Sequence, residues 1–258
     1  PAAVAAALVF GWRAVAVMGV SVAVALATEA LSQLVFRREI TVRDGSAVVT
    51  GLLLAFTLPP PTPLWIVALG AFVAIFLVKQ LFGGLGFNIF NPALAARAVL
   101  LASFPVAITS WNLPASGFFA ADATSAASAL GALKESGATP FGYLDLLLGT
   151  VPGSLGETCK IALIAGFLLL LALRVVDWKI PVTYLGVVAL LSLAFGRDPL
   201  AELLSGGLLL GAFFMATDYV TSPTTPWGRV VFGAGCGILT ALIRVYGGFP
   251  EGVCYAII

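Results

Sequence analysis

The chain has no histidine, only three cysteines in 258 residues, and a charged fraction of just 10%. Without histidine, no Ser–His or Cys–His nucleophile pair can form. The cysteines, Cys159, Cys236 and Cys254, lie far apart and form no Cys-x-x-Cys pair. That spacing argues against a zinc or iron–sulfur site made by this chain alone. All three sit in or beside apolar runs, where small buried hydrophobes are the plainer role, a ligand lent to a partner's cluster being the alternative. Net charge is +1 and no basic cluster exceeds Arg37-Arg38, so nothing recruits a nucleic acid.

Hydrophobic residues make up 60% of the chain, and the mean hydropathy is +1.09. A soluble domain carries about 25% charged residues, so the expectation is an all-α integral membrane protein. Ten apolar segments emerge, at about 1–10, 14–36, 44–58, 64–82, 91–108, 158–176, 180–196, 199–217, 228–246 and 251–258. The first and last read as truncated helices, and no basic stretch precedes residues 1–10 as in a signal peptide. Three regions follow: a membrane repeat over 1–108, a polar loop over 109–157 and a second repeat over 158–258. The loop holds four acidic residues against one lysine.

Two stretches repeat a broken membrane segment: 51–65 (GLLLAFTLPPPTPLW) and 207–227 (GLLLGAFFMATDYVTSPTTPW). Each leucine-rich run stops early, passes a Thr/Pro cluster and ends on tryptophan. Each is followed by an apolar stretch and an aromatic–Gly–Gly element, at 82–84 and 246–248. Paired interrupted segments point to a site between duplicated halves. Broken backbone at membrane depth survives only where protein or a cavity covers it. Basic residues divide eight (Arg37, Arg38, Arg43, Lys79, Arg97, Arg174, Lys179, Arg229) against five (Arg13, Lys134, Lys160, Arg197, Arg244). The more basic side is cytoplasmic, which puts loop 109–157 outside and makes the two halves inverted. All five tryptophans fall at segment ends, as interfacial anchors should.

Three groups of residues could carry chemistry. In 83–97 (GGLGFNIFNPALAAR), Asn88 and Asn91 lie three apart, so a helical backbone puts both carboxamides on one side. A carboxamide both donates and accepts, which suits the edge of a flavin or a urea-like group. The plainer alternative has Asn91 capping a helix and Asn88 fixing a turn. Residues 122–130 (DATSAASAL) read alone as a small-residue loop. Among charges within the apolar segments, Glu29 stands deepest and is the candidate for an ion path. Lys79, Glu202, Asp218 and Arg244 lie near segment ends and are expected to snorkel or pair at the interface.

The stretches 44–63, 82–105, 149–157, 213–228 and 246–255 resemble the RnfD/NqrB family, and their spacing is nearer to its RnfD members. The resemblance covers nearly the whole chain. It implies a urea-transporter-like fold of two inverted five-helix halves with broken helices. It also implies a membrane subunit of the Rnf complex, an ion-translocating ferredoxin:NAD⁺ oxidoreductase, in a bacterial or archaeal cytoplasmic membrane. The partners implied are the complex's other membrane and peripheral subunits, including a second covalent-flavin subunit.

In that family FMN is joined through its phosphate to a hydroxyl in an Asp-x-x-Ser/Thr-x-Ala-Thr motif. On this chain the motif lies over Asp122, Ser125, Ala127 and Ser128, making Ser128 the acceptor where the family more often has threonine. Thr139 is the competing acceptor, but Leu133 stands where its motif needs aspartate. The resemblance further implies a non-covalent riboflavin at Asn88 and Asn91. The implied role is electron transfer across the membrane coupled to movement of Na⁺ or H⁺, with no complete active site in this chain. A solute transporter or channel without flavin is the alternative, and a purely structural scaffold a third reading.

Overall fold

The computed structural model describes residues 1–112, 128–136, 139–157, 159–248 and 251–258, and their regular structure is helical. The first part holds α1 (Ala2–Phe10), α2 (Trp12–Val35), α3 (Ser46–Phe56), α4 (Leu64–Phe72), α5 (Pro92–Ser103) and α6 (Pro105–Ile108). Two short helices follow, α7 (Ala129–Ser136) and α8 (Tyr143–Leu148). The last part holds α9 (Lys160–Ala172), α10 (Lys179–Ala194), α11 (Pro199–Leu204), α12 (Leu208–Leu210), α13 (Pro226–Tyr246) and α14 (Val253–Ile257). Helices α4 and α12 run on as π-helical turns, Val73–Gln80 and Gly211–Met215.

Among the described residues, two helices, α2 and α13, are long and apolar enough to cross a membrane. The outward faces explain why lipid is the right solvent. In α2 the residues at helical spacing Ala14, Val17, Ser21, Ala25, Thr28 and Ser32 are buried, while Val15, Leu31, Leu34 and Val35 are exposed. An ordinary surface helix puts polar residues on its outer face; here that face is apolar too. This is a membrane protein. Trp12, Trp65, Trp178 and Trp227 are exposed at or beside helix starts.

Close helix contacts rest on small residues. Ser21 Oγ donates to the Gly51 carbonyl at 2.7 Å, and a Cβ on Gly51 would lie 3.0 Å from Val22 Cα. Helix α13 meets α10 through Gly233 and Gly237, a Gly-x-x-x-Gly face. A Cβ on Gly233 would lie 2.2 Å from Thr183 Oγ1, and one on Gly237 2.9 Å from the Tyr184 carbonyl oxygen. Such faces let backbones approach closely where lipid gives no hydrophobic push.

The irregular segments complete one another. Helix α3 stops at Phe56, ahead of Pro59-Pro60-Pro61. Its open carbonyls are taken by the end of the polar loop: the Gly156 N–H donates to Phe56 O at 2.8 Å and the Leu155 N–H to Leu58 O at 3.0 Å. Residues 151–157 are all buried. The region expected as one external loop therefore includes two helices and ends inside the bundle. The expected segment 199–217 is likewise two pieces, parted at Ser205 and Gly206, whose φ of 67° is left-handed. Segment 91–108 divides at Phe104, ahead of Pro105.

Candidate functional site

Asn91 caps α5: its Oδ1 accepts from the Ala93 N–H at 3.1 Å and the Leu94 N–H at 3.3 Å, and Pro92 takes the first helical position. Its Nδ2 donates to the Met215 carbonyl at 3.4 Å, where the π-helical turn of α12 ends. Asn88 Nδ2 donates to Phe90 O at 3.0 Å. The capping and turn roles are thus both present. The two asparagines also line one cavity of about 240 Å³, with Thr50, Lys79, Phe214 and Asp218 on its walls. Each carboxamide nitrogen carries two hydrogens, and one of each is engaged by the backbone. The cavity approaches the roughly 300 Å³ at which small-molecule sites begin, and it combines apolar walls with a few convergent polar groups. A flavin ring edge fits that chemistry.

Glu29 does not stand alone. Lys79 Nζ donates to Glu29 Oε1 at 2.6 Å and to Ser46 Oγ at 2.6 Å, and Gln80 Nε2 donates to the same Oε1 at 3.0 Å. Glu29 Oε2 is buried without a hydrogen-bond partner among the described residues. The π-helical turn directs successive side chains, Lys79 and Gln80, to the one carboxylate; such turns recur at functional sites.

Lys79, expected to snorkel, is 2% exposed and paired in the interior. Arg244 and Glu202 also pair internally, at 2.8 Å, with Arg197 on the other Glu202 oxygen at 3.0 Å. Burial without pairing would be prohibitive, which is why these end-of-segment charges turned inward together. Asp218 is half-buried at the edge of the asparagine cavity.

Ser128 is half-buried, and its Oγ accepts from the Gly131 N–H at 3.0 Å, capping α7. A phosphoester there would face the positive end of a helix. Ser128 also lines a small cavity that reaches Glu157 and Glu251. Thr139 Oγ1 donates to Phe141 O at 3.0 Å and stands in the turn before α8. Asp122, Ser125 and Ala127 lie outside the described residues.

The sequence reading gave no site role to Arg97, Glu157, Lys160 or Glu251, which the fold brings together. Arg97 pairs with Glu251, while Lys160 donates to the carbonyls of Glu157 and, at 3.0 Å, of Gly206. Glu157 and Glu251 sit in two of the stretches quoted for the family resemblance. Only the fold shows that their side chains meet.

At the opposite end of α9 and α10, a cavity of about 390 Å³ is lined by Arg174, Asp177, Trp178, Tyr219 and Arg229. Arg229 Nη1 reaches Asp177 Oδ2 at 2.5 Å. Partial burial pushes the Asp177 carboxyl up, but the Lys179 N–H and the Arg229 guanidinium outweigh it. They hold the group below the ordinary carboxylate range.

An apolar exterior, paired interior charges and interrupted helices beside a cavity with a few polar groups define an integral membrane protein. The chain belongs to the NQR2, RnfD, RnfE family, which matches it over residues 1–258. It is 47% identical over 263 residues to the D subunit of the Na(+)-translocating ferredoxin:NAD(+) oxidoreductase complex of Acetobacterium woodii, covering 100% of this chain and 81% of that protein. It is 46% identical over 275 residues to the D subunit of the proton-translocating ferredoxin:NAD(+) oxidoreductase complex of Clostridium ljungdahlii, covering 100% and 82%. The D subunit of the ion-translocating oxidoreductase complex of Stutzerimonas stutzeri is 42% identical over 285 residues, covering 96% and 80%.

Proposed function

We propose that this chain is the D subunit of an ion-translocating ferredoxin:NAD(+) oxidoreductase complex and carries two flavins. One is FMN esterified to Ser128; the other is riboflavin held at Asn88 and Asn91. The observation that carries the reading is likeness across the whole chain to two proteins that bear that subunit's name. When bound, the flavins supply the electron chemistry; the chain positions them and screens them from water. Asn91, locked by its cap and by Met215 O, presents a fixed carboxamide. Phe214 contributes an apolar wall and Lys79 a cation at the rim.

The topology we propose is multi-pass in the cytoplasmic membrane, about ten segments in two inverted halves. Matching contacts on each side support it: α2 packs on α3 and α4 as α10 packs on α11 and α13, and α1–α9 and α5–α14 bridge the halves. Burial sharpens the charge argument. With the buried Lys79, Arg97, Lys160 and Arg244 set aside, the balance is six basic residues against three. That balance supports an extracytoplasmic Ser128 and a cytoplasmic Asn88. The other subunits of the complex, including a second covalent-flavin subunit, complete the electron path.

In-gel flavin fluorescence of the denatured complex tests the covalent site, in cells that contain the flavin transferase. Ser128→Ala should darken this subunit's band and Thr139→Ala should leave it bright. The reverse pattern moves the ester to Thr139, and a dark wild-type band removes covalent flavin from the reading.

A further inference from the structure

The central cluster assembles from residues far apart in the chain. Glu157 comes from the buried end of the polar loop, Glu251 from the turn before α14, Arg97 from α5 and Lys160 from the start of α9. The carboxyls of Glu157 and Glu251 line the same two cavities. Both Oε1 atoms converge on Gly207: a Cβ there would lie 2.6 Å from that of Glu251 and 3.0 Å from that of Glu157. The Gly207 N–H donates to Glu251 Oε1 at 3.2 Å, and the Ser154 N–H to Glu157 Oε2 at 3.3 Å. Ionised carboxylates only accept hydrogen bonds. Two of them converging away from water repel each other, which favours a proton on one.

A second observation points into the same space. Arg97 is 4% exposed, and its Nη1 has no partner among the described residues. It lines, with Glu157, Glu251 and Gly207, a cavity of about 10 Å³. That is about the volume one water needs, and such a water could accept from Nη1. It is too small for a hydrated metal ion, and Arg97 and Lys160 already supply two positive charges.

We propose that Glu157 and Glu251 share one exchangeable proton and form a proton-loading site at the seam between the two halves, beside Ser128. Loading moves a proton from water onto one carboxylate. Unloading returns it to water and leaves two carboxylates facing Arg97 and Lys160. Among the described residues, the other groups facing the pair are Arg244 from α13, Tyr184 from α10, Cys254 from α14 and Thr57 at the end of α3. Ser128 lines a cavity that shares both carboxylates. Negative charge arriving on the Ser128 side favours the loaded pair, and its departure favours release. The site's use in ion translocation rests on the proposed function; its proton chemistry does not.

The test is dicyclohexylcarbodiimide labelling of the intact complex in native membranes, followed by peptide mass spectrometry. This reagent couples to protonated carboxyls in apolar surroundings. Expected is one adduct per chain, on Glu157 or Glu251, with Glu29 and Glu202 unlabelled because each faces a cation with no second carboxyl beside it to share a proton. Above its titration the adduct should fall about tenfold per pH unit. In Glu157→Gln, Glu251 keeps only its cationic neighbours, and its labelling should drop at least about tenfold. No adduct on either residue of the wild-type complex overturns the proposal, as does Na⁺ protecting the pair at constant pH. A dark flavin band with the label intact would remove the flavin reading alone; a bright band without the label would remove the proton site alone.

Discussion

Asn91 has two separable duties: its oxygen caps α5 and its nitrogen ties α5 to Met215. Asn91→Ala should cost about 1 kcal/mol, the usual worth of an N-cap, and release the riboflavin proposed there. Asn91→Ser should restore the cap and the melting temperature but not the flavin. Flavin retention in Asn91→Ser would show that the carboxamide is not what holds it. Asp177 gives a pH-dependent counterpart. Its carboxyl lies below the ordinary value of about 3.9, so the stability it adds is present above that value and is lost as pH falls through the folded value. Arg229→Gln should therefore lower the melting temperature by a constant margin near neutrality, and the margin should close below about pH 4. A margin that persists in acid would assign the loss to packing instead. The asparagine pair and its cap were legible in the sequence because capping is a local matter. The Asp177–Arg229 pair was not, because Asp177 lies in the turn before α10 and Arg229 in α13, far apart in the chain.

Helix α13 shows how one element separates similar residues by environment. Gly237 sits against the Tyr184 carbonyl and Val187, whereas a Cβ on Gly235 would meet nothing within 4 Å. Gly237→Ala should destabilise the protein by roughly 1–3 kcal/mol through overpacking. Gly235→Ala should be neutral or mildly stabilising, because alanine is the better helix former. Thermal unfolding in detergent compares the two, and equal effects would refute the contact assigned to α10. The break after α3 was foreseeable from its prolines, whereas the one between α11 and α12 fell inside a segment read as continuous. The partners of the broken α3 were not foreseeable. The loop end at 154–157 enters the bundle because broken α3 leaves Phe56 and Leu58 carbonyls that need donors away from water.

For the whole molecule, charge is kept in the interior by mutual neutralisation. Glu29 and Lys79 are 1% and 2% exposed, so removing one strands the other. Glu29→Gln should cost about 3–5 kcal/mol, the range for a broken buried pair. Glu29→Gln combined with Lys79→Met should recover much of that loss while altering the rim of the asparagine cavity. If the double variant is as unstable as the single one, the pair is not an isolated unit. An ion path through Glu29 must then move or share the Lys79 proton, because the carboxylate is already engaged.

Composition and short-range pattern alone determined that this is a helical membrane protein, that α3 breaks before its prolines, that Asn91 caps α5 and to which family the chain is similar. Hydropathy, capping and proline effects act over a few residues, so one dimension carries them. The tertiary structure decided which charges meet: Glu29 with Lys79, Arg244 with Glu202, and Glu157 with Glu251 beside Arg97. Those choices follow from the cost of burying any one charge unpaired, and that cost is set only when distant segments pack together.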